Sequence, residues 1–496
     1  MNTFIINSGI LIISSLVIKI LASSFEIYIA NLIGAEAVGV FSIIMSIYAF
    51  GITLATSGIH LATTKVLSEE LEIGNSKNIR KILIRSISYS LVLGSITFIL
   101  AVLFAPYICD VCLKGKVNYI TIYLLALSFP FVSITSGING YFMAVRKVVK
   151  NSICQIVSQI IRILIISYGL CNIFNKTLND SILALCLGST LSEIFYFIFL
   201  YIMYKKDSKK YIVNTHYSNA DNLTKRLLKI SIPIAITSYI RSFLSTLKQI
   251  LIPIRLKLYG MDYSTAVANY GIITGMALPV IMFSSVIVYS YSSLLVPEFS
   301  RYSVAKNNSK MEKSISKLFK ITLYFSICVT GILIFFGNSL GNMLFKTPKV
   351  GYYIKIMAPL IPLMYLDNVV DNILKGLGKQ VSVMICNIVD LVISLSFIYF
   401  LLPSFGIMGF IVVMYISEIL NYTVSVITLF KTTNVKFKYI DWVLFPIFAI
   451  ILSIFLSNLF NLKSSTYLAI NILITISFYL SLIFLKEFFK KFIKIY

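Results

Sequence analysis

Apolar runs long enough to cross a bilayer follow one another from end to end of the chain, parted by short polar stretches. An uninterrupted apolar run of about 18 residues or more predicts a spanning helix. Fourteen are predicted: 4–32, 37–64, 82–109, 118–143, 151–173, 180–204, 228–257, 264–295, 315–337, 352–374, 381–402, 405–430, 440–460 and 466–485. The first lacks a basic segment ahead of it and stays apolar past Ile29, so it reads as a spanning helix and not as a cleaved signal. Spans 1 and 7 are long, which tilt or a break absorbs. Pro233 and Pro253 fall in span 7 and Pro279 in span 8. They kink helices either for packing or to free backbone groups, as transporters require. The fold class is therefore an all-α polytopic membrane protein of about fourteen transmembrane helices.

The polar gaps carry a second signal. Connections after even-numbered spans, with the C-terminal tail, hold 30 of the 43 Lys and Arg residues. Connections after odd-numbered spans hold nine, and four lie inside spans. Basic loops stay on the cytoplasmic side. This alternation predicts a multi-pass protein of the cytoplasmic membrane with both termini in the cytoplasm. Its basic loops would rest on anionic lipid. The largest polar stretch, with Lys205, Lys206, Lys209 and Lys210, reads as a linker between two halves, or as an amphipathic segment on the membrane surface.

The halves repeat. A shift of 232 residues pairs Gly39 with Gly271, Asn75 with Asn307, Lys81 with Lys313, Pro130 with Pro362 and Lys147 with Lys379. It also pairs Ile153-Cys154 with Ile385-Cys386. Six spans per shift keeps the orientation of the repeat, a parallel repeat about an axis along the membrane normal. The expected organisation is a lobe of six helices (1–204), a cytoplasmic linker (205–227), a second six-helix lobe (228–430) and two further helices with a basic tail (431–496).

Composition narrows the function. The chain of 496 residues is 58% hydrophobic and 12% charged, with mean hydropathy +0.90 and net charge +24. No soluble domain is left over, and the excess of positive charge belongs to loops on lipid, not to nucleic-acid binding. Of seven Cys, Cys109 and Cys112 form a CxxC with no second pair or nearby His, too little for a metal site. No Walker motif, nucleophile elbow, HExxH or dinucleotide glycine pattern occurs, so no enzyme, metal or cofactor is expected.

Ionisable residues inside spans are costly and point to function. Arg241, Lys248 and Arg255 recur every seven residues along span 7. Seven is close to two helical turns, so they share one face over roughly 21 Å. Such a stripe suits one wall of a path for an anion, although Arg241 and Arg255 near the interfaces could also snorkel. Lys19 and Glu26 on span 1 and Arg162 on span 5 are the further candidates in the first half. Arg162 serves equally well as a tie between helices. Glu193 and Glu418 read as paired structural charges. Asp367, Asp371 and Lys375 stand at i, i+4 and i+8 on span 10, and Asp390 lies on span 11. Two carboxylates a turn apart could make a proton site. Alternatively, Lys375 neutralises Asp371 as a structural pair.

Several stretches resemble one superfamily. They are Ile33-Gly34-Ala35-Glu36-Ala37-Val38-Gly39-Val40-Phe41; Ser57-Gly58-Ile59 through Ser68-Glu69-Glu70; Gly140-Tyr141-Phe142 with Ser158-Gln159-Ile160-Ile161-Arg162; Leu294-Leu295-Val296-Pro297-Glu298-Phe299-Ser300; and Ile373-Leu374-Lys375-Gly376-Leu377-Gly378-Lys379. Together they resemble the multidrug/oligosaccharidyl-lipid/polysaccharide flippases, and within them the stage V sporulation protein B family. That resemblance implies two six-helix lobes around a central cavity and alternating access. It implies a lipid-linked saccharide carried across the membrane for wall, polysaccharide or spore-cortex synthesis, with wall-synthesis glycosyltransferases as partners. In related lipid II flippases span 1 bears two arginines and then an aspartate. Here Lys19 falls at the first arginine, Phe25 at the second and Glu26 at the aspartate.

Read on that footing, Lys19, Arg162, Arg241, Lys248 and Arg255 would neutralise a pyrophosphate. Glu26, Asp367, Asp371 and Asp390 would support them or couple transport to an ion, H+ or Na+. Two other readings stay open at this point. One is a cation-coupled multidrug exporter of the same superfamily; the other is a non-transporting scaffold of a wall-synthesis complex.

Overall fold

The computed structural model describes residues 2–72, 76–174, 177–208, 223–433, 435, 437–459 and 467–493. Among them there is no strand, and twelve helices are long and apolar enough to cross a membrane. Two of these are far longer than one crossing of about 30 Å needs. In both, the stretch is two helices parted by one glycine. The break in Asn2–Thr56 is at Gly34 (φ 81°), and the break in Gln380–Thr432 is at Gly406 (φ 57°). A β-carbon is disfavoured at such angles, which is why glycine stands at both. Both breaks fall at or next to predicted span boundaries.

The prolines divide into two kinds. Leu223–Leu258 stays helical through Pro233 and Pro253. Around Pro279 the chain is interrupted instead: a π-helical turn, Ile272–Ala277, precedes it, and Leu278–Phe283 gives way at Ser284 to Ser285–Val304.

The chain forms two compact units. The first holds Met1–Phe25, Leu32–Ile254 and Tyr263–Ala268; the second holds Glu26–Asn31, Arg255–Asp262 and Asn269–Tyr496. Most of the expected 205–227 linker lies outside the described residues.

In the first unit a buried apolar cluster, including Val66, Leu67, Ile82, Ile138, Tyr141 and Leu200, lies at the basic ends of the helices. Charge at that end is gathered around Asp207, whose carboxylate is 2% exposed. It accepts from Lys147 Nζ (2.8 and 2.9 Å), Lys150 Nζ (2.7 Å) and the Tyr141 hydroxyl (3.0 Å). A buried carboxylate survives only with such donors, because desolvation alone would cost several kcal/mol. Arg226 makes a forked contact, donating from Nη1 to Glu70 (2.6 Å) and from Nη2 to Glu69 (2.7 Å).

In the second unit, Lys320 pairs with Glu487, and Lys486 pairs with Asp441 at 2.8 Å. These bonds join Leu468–Ile493 to Asn308–Phe345 and to the start of the Ile440–Asn458 span.

The repeat is visible in the backbone. Ser76–Tyr107 and Asn308–Phe345 begin 232 residues apart, as do Phe129–Ala144 and Ile361–Gly376 (361 − 129 = 232). Val148–Tyr168 and Gln380–Thr432 begin at the same spacing. The second pair also ends in register, on Val145 (φ −81°, ψ 5°) and Leu377 (φ −81°, ψ 6°). The next residue in each, Arg146 (φ 57°) and Gly378 (φ 76°), is left-handed. Such a residue after the last helical turn is a common helix stop.

Candidate functional site

The Leu223–Leu258 helix is oriented by its neutral side chains. Tyr239 donates its hydroxyl to the Leu54 carbonyl at 3.1 Å, and Thr246 donates to the Ser46 carbonyl at 3.0 Å. Tyr239 and Thr246 are seven apart and so share a face, which lies against the Asn2–Thr56 stretch. Just over two turns from Tyr239 toward the helix start, Ser231 fits beneath Gly58 (φ 79°), where an added β-carbon would meet the Ser231 carbonyl oxygen at 2.3 Å.

Arg241 and Lys248 are each two residues beyond Tyr239 and Thr246. Two residues are 200° of helix, so these cations lie on the opposite face. Arg241 is exposed and Lys248 is half-buried, with interactions of its own. Thus two of the three stripe residues share one face of one helix within the first unit. Arg255 falls in the second unit, where its guanidinium stacks 3.5 Å above the Tyr399 ring. Its Nε is buried without a hydrogen bond. A cation over an aromatic face is held electrostatically.

Two further candidate cations lie in the first unit. Lys19 is half-buried on the first helix, and Phe25, one and a half turns on, is buried. Arg162, on Val148–Tyr168, is half-buried with Nε lacking a hydrogen bond. It lies within electrostatic reach of Glu193, Tyr48 and Cys186. Glu26 falls in the second unit, where it is exposed and has interactions of its own.

The second unit gathers the carboxylates. Asp367, 9% exposed on Ile361–Gly376, accepts from Asn421 Nδ2 at 2.9 Å through Oδ2. The Ser425 side chain also acts on this carboxylate. Asp371, Asp390 and Lys375 all act on Asp367 electrostatically. Asp390 in turn accepts from Ser417 Oγ at 2.6 Å. Ser417, Asn421 and Ser425 follow at i, i+4 and i+8 along one helix face. The result is a polar seam with three acidic side chains. Such a seam can take up a proton.

Sequence reasoning identified the carboxylates and missed Ser417, Asn421 and Ser425, although their four-residue spacing within an apolar span was a usable signal. It also missed Tyr399, for which nothing local gave notice. Among the described residues no group of three or more His, Cys, Asp or Glu side chains is arranged to hold a metal ion.

Comparisons with known proteins follow the same lines. The profile of the polysaccharide biosynthesis protein family matches residues 4–303, and the MatE profile matches residues 233–400. Stage V sporulation protein B of Bacillus subtilis (strain 168) is 24% identical over 414 residues, covering 82% of this chain and 80% of that protein. Lipid II flippase MurJ of the same organism is 24% identical over 216 residues, 41% of this chain and 39% of that one. A solved structure of lipid II flippase MurJ in an inward closed conformation superposes with TM-score 0.71 at 15% identity. It covers 97% of this chain and 99% of that chain.

Proposed function

Since the chain belongs to the polysaccharide biosynthesis protein family, within the multidrug/oligosaccharidyl-lipid/polysaccharide flippase superfamily, we propose that it flips a polyprenyl pyrophosphate-linked saccharide across the cytoplasmic membrane by alternating access. The cargo would be an oligosaccharide or a peptidoglycan precursor for wall, polysaccharide or spore-cortex synthesis. The observation that carries the reading is the cation face of Leu223–Leu258, with Arg241 and Lys248 set opposite the docked face of that helix. Within a membrane such residues need an anionic partner or water. A pyrophosphate supplies the partner.

In this reading Lys19, Arg162, Arg241 and Lys248 engage the pyrophosphate in turn, Arg as a forked donor and Lys as a point charge. No bond is made or broken. Both termini lie in the cytoplasm, by the distribution of Lys and Arg. The two repeats act as the moving lobes. The seam around Asp367, Asp371 and Asp390 takes a coupling ion, H+ or Na+, that resets the carrier. A unit charge crossing 100 mV is worth about 2.3 kcal/mol, enough to bias that step. Wall-synthesis glycosyltransferases are the expected users of the delivered cargo.

The test is neutralisation of Lys19 and Lys248 together, in cells depleted of their lipid II flippase and in a leaflet-accessibility assay. Loss of flipping with normal membrane levels supports the reading; normal flipping refutes it. The MatE match over 233–400 leaves room for a second reading, a cation-coupled drug exporter. A drug-susceptibility screen of expressing cells separates the two, because only the exporter raises tolerance.

A further inference from the structure

The second unit contains a cavity of about 530 Å³ that the transport reading does not use. It is lined by the first turns of Asn308–Phe345 and by the segment leading into the Ile440–Asn458 span. Lys313, Lys317 and Lys320 stand at i, i+4 and i+7 and so point to one side of their helix. Lys438 faces them from the other segment, and buried Trp442 also lines the cavity.

The charges do not cancel. Lys320 is taken by Glu487, and the cavity's Asp441 is taken by Lys486. Lys313, Lys317 and Lys438 have no ion pair among the described residues, and all three are exposed. Against these three cations only Glu312 remains. Ser309 and Ser316 add hydroxyl donors. A net double positive charge with neutral donors suits a phosphate ester.

The surroundings say where that ester comes from. Next to Lys438, Tyr439 is 70% exposed and Ile440 75%, and Leu444 and Phe448 follow, both exposed. Exposed apolar side chains in a spanning segment belong in hydrocarbon, so this cavity opens at the level where headgroups meet acyl chains. A soluble phosphate would leave them without a function.

We infer that the Lys313–Lys317–Lys438 cavity binds the headgroup phosphate of an anionic membrane phospholipid, whose acyl chains lie along Tyr439, Ile440 and Leu444. The site is separate from the cation face of Leu223–Leu258 and stands whatever the cargo is. Lys320 and Asp441, which line the cavity, are the two residues that hold Leu468–Ile493 through Glu487 and Lys486. Its binding therefore stiffens the attachment of Leu468–Ile493.

The experiment uses the full chain purified in detergent, then titrated with phosphatidylglycerol or phosphatidylcholine and read by native mass spectrometry and thermal unfolding. A lysine near a headgroup is worth roughly a factor of five in affinity. Lys313→Gln/Lys317→Gln/Lys438→Gln is expected to weaken phosphatidylglycerol retention at least tenfold and to remove its stabilisation. Phosphatidylcholine binding should be unchanged, and the corresponding triple arginine variant should retain the anionic lipid. Equal retention by the glutamine variant would overturn the inference. So would displacement of the lipid by millimolar inorganic phosphate, which would make this a site for free phosphate. Neither readout depends on transport.

Discussion

The hydroxyl of Thr246 donates to the carbonyl of Ser46 at 3.0 Å, and this bond fixes which side of its helix Lys248 occupies. A rotation of about half a turn would carry Lys248 to the docked face of the helix. The neutral face therefore determines what the charged face can reach. A hydrogen bond of this kind contributes about 1 kcal/mol. Thr246→Val and Tyr239→Phe should each lower unfolding stability by about that much. Gly58→Ala should cost about 2 kcal/mol or more, because its backbone is left-handed and the Ser231 carbonyl occupies the space. Thermal unfolding in detergent checks all three.

Arg241→Gln and Lys248→Gln remove charge without touching the docked face. Hydrogen bonds to a charged group are worth about 1.5–3 kcal/mol, so each change should slow flipping by about 10- to 100-fold. Yield and melting temperature should stay within error of the parent. A loss of folded protein in place of activity would mean that these residues serve packing.

Asp367→Asn keeps an oxygen for Asn421 Nδ2 and removes the charge from the centre of the seam. Flipping in proteoliposomes should then lose its response to an imposed proton or sodium gradient. Downhill exchange should continue. Asp207→Asn, in the first unit and bound to Lys147 and Lys150, should leave the gradient response intact while lowering stability.

Arg226→Ala removes the forked donor from Glu70, whose side chain is only 5% exposed. Uncovering a buried carboxylate costs about 3–5 kcal/mol in full burial, and less here because Arg226 is itself partly exposed, so about 2 kcal/mol is expected. Arg226→Lys should recover only part of it, since an ammonium cannot serve Glu69 and Glu70 as a fork. The double variant Arg226→Gln/Glu70→Gln should be less damaging than Arg226→Ala. Melting curves of the three variants decide the matter.

Much of this architecture was legible because it is written in short-range patterns. The apolar runs gave the spans, and Gly34 and Gly406 stand at or beside predicted boundaries because a helix break needs a residue free to adopt positive φ. The 232-residue spacing survived in loop lysines and helix starts because inserting one residue would rotate a whole helix by 100°. The fate of individual charges was less legible. Arg255 and Tyr399 are far apart in sequence, and a heptad cannot say which member of a stripe will meet an aromatic ring. Asn421 and Asp367 are 54 positions apart, and a neutral amide in an apolar span gives little notice of a long-range partner.

The common register of the two halves also carries a history. Helices that restart at a fixed offset are what a duplicated ancestor would leave, and the matched positions show where the halves differ. Asp367, Asp371 and Asp390 correspond at that offset to Thr135, Asn139 and Ser158, none of them ionisable, while Arg162 corresponds to Ser394. The difference runs both ways, since Glu193 corresponds to Ser425, and Arg241 and Lys248 to Gly9 and Leu16. Swapping Thr135 for Asp, or Ser394 for Arg, would rebuild the lost symmetry and ask directly whether electrical dissimilarity between twins gives such a machine its direction.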